Sequence, residues 1–133
     1  NNVNQDAFVF KNKTQETNPQ NFIKLKFKGN TKNTFGIGVI ANIYIKDQII
    51  HQEVIPSRGF QSSTEYTLNI GIGATKIIDS ITIYWPSNKY QTIYKTKSNN
   101  TLAFNESEAK FIDVIKTVKK STFIKEVKLL KIA

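Results

Sequence analysis

The chain has 133 residues, which suits a single domain large enough to bury its own core. Cysteine and methionine are absent and His51 is the only histidine, which excludes a disulfide framework, a thiolate metal site and a cysteine nucleophile. The net charge is +9, from 18 lysines against the single Arg58; nucleic-acid readers lean on the bidentate guanidinium, and its near absence argues against that class.

Residues 1–6 are polar and predict a frayed terminus. Ala7–Lys11 is a short apolar run and predicts an edge strand, followed by a loop over Asn12–Gln20 that holds Pro19. Asn21–Lys28 alternates, with Ile23, Leu25 and Phe27 on one side and lysines on the other, as in a half-buried strand. Ile37–Lys46 is apolar in both phases and predicts a central strand covered on both faces. Asp47-Gln48 reads as a tight turn, with Ile49–Ile55 returning as the hairpin partner. Pro56–Thr64 is a loop around Gly59, and Tyr66–Ile72 is a strand whose end is punctuated by Gly71 and Gly73. Ile77–Trp85 alternates as Ile77, Asp79, Ile81, Ile83 and Trp85; Pro86–Lys89 turns the chain and Tyr90–Thr96 pairs back. Thr101–Phe104 is a last short strand.

Beyond it the period changes. Ala109, Phe111, Ile112, Ile115 and Val118 share one broad helical face, predicting a helix over about 107–119, while Phe123–Ile132 fits helix or strand equally. The expected fold is all-β in the main: an antiparallel β-sandwich or barrel-like domain of seven or eight strands, with a helical or irregular C-terminal tail. It divides into an N-terminal segment (1–20), a β domain (21–105) and a tail or linker (106–133). No run approaches a membrane span. The sequence opens on Asn1 with no initiator methionine, which reads as a mature or excised piece of a longer protein.

No catalytic set is legible, and neither a cofactor nor a metal is expected. His51 lies mid-strand with no second histidine or cysteine to share a metal. The carboxylates Asp6, Glu16, Asp47, Glu53, Glu65 and Asp79 are scattered, and the Gly36-Ile37-Gly38 and Gly71-Ile72-Gly73 pieces do not open helices as a dinucleotide loop does. Two features are candidate ligand sites. Trp85 ends a strand beside Pro86, either as a core anchor or as a sugar-stacking platform. The loop Ser57-Arg58-Gly59-Phe60-Gln61-Ser62-Ser63 gathers Arg58, Phe60, Gln61, Ser62 and Ser63, either to hydrogen-bond its own backbone or to hold a ligand. Under the first reading Arg58 ties the loop to carbonyls or to an acid, Gly59 has a positive φ, and Phe60 plugs the loop into the core.

The ordered set Asn21-Phe22-Ile23-Lys24-Leu25, Lys28-Gly29, Asn33, Gly36-Ile37-Gly38, Arg58-Gly59-Phe60-Gln61-Ser62-Ser63, Gly71-Ile72-Gly73, Asp79-Ser80-Ile81, Trp85-Pro86-Ser87 and Asn99-Asn100-Thr101-Leu102 resembles the ASPIC/UnbV domain. Val39 stands where that pattern has alanine, and Asn88 where it has glycine. The acidity in the family's name is not shared by this basic chain. The resemblance implies a neighbour of FG-GAP-type β-propellers in secreted or cell-surface proteins, here of a bacterial kind. Residues 7–12 then resemble the last strand of a preceding propeller segment and residues 121–127 the lead-in to another. The implied function is a non-catalytic accessory module that packs on a β-propeller of the same parent chain and supports adhesion or ligand binding, with a glycan or an extracellular protein as partner. The alternative is a carbohydrate-binding module using Trp85, Tyr84 or Tyr90 with the 57–63 loop; a third is polyanion or nucleic-acid binding through lysines.

Overall fold

The inward-facing Ile23 and Leu25 of Asn21–Lys28 (β1) are fully buried, and the intervening lysines are left on the outer surface. The computed structural model describes residues 4–112. Within them the chain continues through β2 (Ile40–Ile45), β3 (Gln48–Glu53), β4 (Leu68–Gly73), β5 (Ile77–Trp85), β6 (Lys89–Lys97), β7 (Asn100–Asn105) and β8 (Lys110–Phe111). A single helical turn, α1 (Thr14–Thr17), precedes β1.

The strands form two sheets. The smaller has the order β4-β1-β7, and the larger β3-β2-β5-β6-β8. The arrangement is an open sandwich rather than a closed barrel. All pairings are antiparallel except β1 with β7, whose parallel register runs from Ile23 opposite Asn100 to Lys28 opposite Asn105. Ala41 and Ile43 of β2 and Ile81 and Ile83 of β5 close on β1 from the other sheet and are fully buried. β2 lies between β3 and β5, but it is fully buried only on its inner face: Ile40 and Tyr44 stand half-buried on the outer side of the sheet. At one end of the core Phe27 meets Trp85 edge-on and stacks on Phe104, each at 6.1 Å between ring centroids.

That contact fixes the polarity of the sandwich. The ends of β1, β5 and β7 and the starts of β2 and β6 lie together, so loops 29–39, 54–67 and 86–88 and the 3-10 turn Glu106–Glu108 all emerge at one end. The opposite end carries the tight turns, including Lys46-Asp47 between β2 and β3, where Lys46 has φ +50°.

Several expectations are corrected. Ala7–Lys11 forms no strand and lies exposed, because no sheet edge meets it. The β2–β3 turn sits one residue earlier than Asp47-Gln48. Strict alternation in β5 fails at its start: Ile78 is fully buried while Ile77 is half exposed. Asp79 turns outward to an ion pair with Lys95 of β6 at 2.7 Å, and Lys95 has φ +49°, so the pleat shifts phase there. The tail does not start as a helix: Glu106–Glu108 is a 3-10 turn and Lys110–Phe111 adds to β6, while residues 113–119 of the expected helix and residues 121–127 lie outside the described residues.

Candidate functional site

The loop-bearing end is held together by one carboxylate. Glu106 follows β7 directly and is 5% exposed. Its Oε2 accepts the Asn30 backbone N–H at 2.7 Å, and its Oε1 accepts from Asn30 Nδ2 at 3.2 Å and from the Ser87 hydroxyl at 2.6 Å. These bonds join the 29–39 loop, the 86–88 turn and the exit of β7. The Ser87 hydrogen bond, opposed by burial and aided by the Asn30 N–H and the Lys89 charge, holds the carboxyl below its ordinary value. Asn33 stiffens the same loop: its Nδ2 donates to the Ile37 carbonyl and its Oδ1 accepts the Ile37 N–H. Gly29 leaves room for this fold, since a Cβ there would run into the Asn33 carbonyl oxygen.

The 57–63 loop closes on itself. Ser57 bridges Ser63, Arg58 N–H donates to the Ser62 carbonyl at 3.0 Å, and the Ser62 hydroxyl donates to the Phe60 carbonyl. Gly59 has φ +58°, as expected, and Gln61 follows at +50°. Arg58 Nη1 donates to the Ser57 carbonyl at 2.8 Å, so the side chain ties only to its own neighbour, and no acidic partner is found among the described residues. Phe60 is not a plug. It is 86% exposed, because a miniature hairpin this tight projects its tip away from the core. Beneath the loop lies an open cleft of about 380 Å³ that Arg58 shares with Glu53, Thr64, Glu65 and Asn69. Its charges are mixed, and Asn69 is already engaged by Glu65 at 2.8 Å.

Trp85 is 4% exposed, which makes it the core anchor and removes it as a sugar platform. The remaining candidates are therefore split: Arg58, Phe60, Gln61, Ser62 and Ser63 share one loop, while Trp85 sits beneath the sheet. His51 Nδ1 meets Asn42 Oδ1 at 2.8 Å and no carboxylate. Among the described residues no cluster of His, Asp and Glu could hold a metal.

One feature escaped the sequence. Phe35 of the 29–39 loop and Tyr66 of the 54–67 loop stack at 4.5 Å with 10° between their planes, yet they are 54% and 38% exposed. Ile37 and Ile55 are half exposed on either side of the Gly38 to Val54 hydrogen bond that joins the same two loops. Hydrophobicity alone does not distinguish such a pair from core.

The sequence pattern of the family described as ASPIC and UnbV matches residues 29–111, more than half of the chain. The chain belongs to that family. No curated protein matches it, and neither does any solved structure. The match opens at Gly29 and takes in the whole loop-bearing end, from Asn30 and Asn33 through the Trp85-Pro86 turn to Glu106. Both departures from the ASPIC and UnbV pattern are accommodated. Val39 is fully buried, and Asn88 takes φ +59°, the left-handed geometry asparagine tolerates in place of glycine.

Proposed function

We propose that this ASPIC and UnbV domain is a non-catalytic accessory module of a secreted or cell-surface protein, docking through its loop-bearing end on a β-propeller of the same parent chain. The observation that carries this is the exposed apolar side chains at that end: Phe60 at the tip of a self-closed loop, and the Phe35–Tyr66 stack that joins the 29–39 and 54–67 loops. Rings held rigid while exposed lose little entropy on burial, which is the character of an interface anchor. Glu106, Asn33 and Gly29 supply the rigidity from below. The module would set the orientation of its neighbour and leave the sheet faces open for adhesion or ligand binding.

Calorimetric titration of the chain into the purified propeller of the parent protein tests this. Saturable binding is expected, weakened at least tenfold by Phe60→Ala and by Phe35→Ser with Tyr66→Ser. Unweakened binding by these variants, or no binding by the parent sequence, would refute the proposal.

A further inference from the structure

The lysines are not spread evenly. β1 carries Lys24, Lys26 and Lys28 on the outer side of the smaller sheet. The outer side of the larger sheet is different. The register places Ile40, Asn42 and Tyr44 of β2, Ser80, Thr82 and Tyr84 of β5, and Tyr90, Thr92 and Tyr94 of β6 on one surface. Four of the five tyrosines stand there, and none of these nine positions is charged. In a chain of net charge +9 this is a neutral window. At its centre the Thr82 and Thr92 hydroxyls meet at 3.0 Å.

One edge of this surface is grooved. β8 pairs only with Lys89 and Tyr90, so β6 is uncovered from Gln91 onward. A groove of about 400 Å³ runs there, lined by Tyr90, Gln91, Thr92 and Tyr94 on one side and by Glu108 and Lys110 on the other. Tyr94 is 73% exposed and Tyr90 is 37% exposed. Four residues apart on one strand face, they stand about 13 Å from each other. Gln91, opposite the fully buried Ile83, turns its side chain to the inner face, so the outward surface of the groove is set by Tyr90, Thr92 and Tyr94.

We propose that this groove binds a neutral polysaccharide chain, with sugar rings lying on Tyr90 and Tyr94 and a hydroxyl bonding to Thr92. Amphipathic tyrosine faces suit the C–H faces of pyranose rings, and the threonine hydroxyl suits their rims. Charge does not favour a polyanion, because Glu108 and Lys110 cancel and the β1 lysines lie on the other sheet. The groove starts beside the 3-10 turn of the docking end but is lined by none of Phe35, Phe60 and Tyr66, so different substitutions test the two proposals.

Affinity electrophoresis of the 133-residue chain, in gels containing hydroxyethylcellulose, arabinoxylan, galactomannan or glycogen, with polygalacturonate as the acidic comparison, tests the proposal. At least one neutral polymer should retard the chain, and retardation should persist in high salt, since no ion pair carries it. Tyr94→Ala should weaken it about tenfold at an unchanged melting temperature, as expected when one stacking platform is lost. Retardation by none of the neutral polymers, retardation by polygalacturonate alone, or wild-type retardation of Tyr94→Ala would overturn the proposal.

Discussion

Removing the Glu106 carboxylate should loosen the whole loop-bearing end. Three donors point at it: the Asn30 backbone N–H, Asn30 Nδ2 and the Ser87 hydroxyl. Hydrogen bonds to a charged group contribute about 1.5–3 kcal/mol each, but they are not additive and the burial of the charge offsets part of them. Glu106→Ala leaves all three donors facing a small void and should cost about 3 kcal/mol, or roughly 10 °C in melting temperature for a domain of this size. Glu106→Gln keeps the shape but sets an NH2 group against a donor, and should cost about 2 kcal/mol. The pH dependence follows from the depressed carboxyl. Its folded pKa lies below the ordinary value of 4.5, so its stabilisation is complete above that pH and is lost as pH falls through the folded value. Urea unfolding of wild type and Glu106→Gln from neutral pH down to acid should therefore give a gap that narrows below that pH. A gap under about 0.5 kcal/mol at neutral pH, or one that widens in acid, would refute the reasoning.

Arg58→Ala should cost less than the about 1–2 kcal/mol appropriate to a charge-assisted tie across the loop; with only the Ser57 carbonyl as partner, about 0.5 kcal/mol is expected from chemical denaturation. Gly36→Ala should destabilise by about 2 kcal/mol, since Gly36 has φ +65° and a Cβ would stand 2.7 Å from the Phe27 Cβ; thermal unfolding measures it. Trp85→Ala should cost about 3–5 kcal/mol and quench the near-ultraviolet signal of the Phe27 and Phe104 cluster, as read by circular dichroism.

Local alternation carried the sequence reading where one face is buried throughout. β1 and β5 run over the residues their patterns predict, because a strand with one apolar face has one register that hides it. The reading failed where geometry interrupts the pleat. Lys95 in left-handed geometry and the Asp79 ion pair move Ile78 into the core, and no local pattern announces that shift. Ala7–Lys11 shows the converse: an apolar run without a neighbouring edge stays out of the sheets. In the 57–63 loop the positive φ of Gly59 was legible from turn chemistry, but the direction of Phe60 was not, since it depends on how tightly Ser57 and Ser63 close. Glu106 escaped because its partners are 76 and 19 residues away, and a lone acid after a strand reads as ordinary surface. The groove along β6 escaped for the same reason: it exists only because β8 begins no earlier than Lys110, opposite Tyr90.

Hydrogen–deuterium exchange of the chain, alone and with the β-propeller of its parent protein, tests the docking account most directly. Slowed exchange confined to residues 29–39 and 54–67, around the Phe35–Tyr66 stack and the Phe60 tip, is the predicted footprint. Protection centred instead on the outer strands, or none in excess propeller, would contradict it.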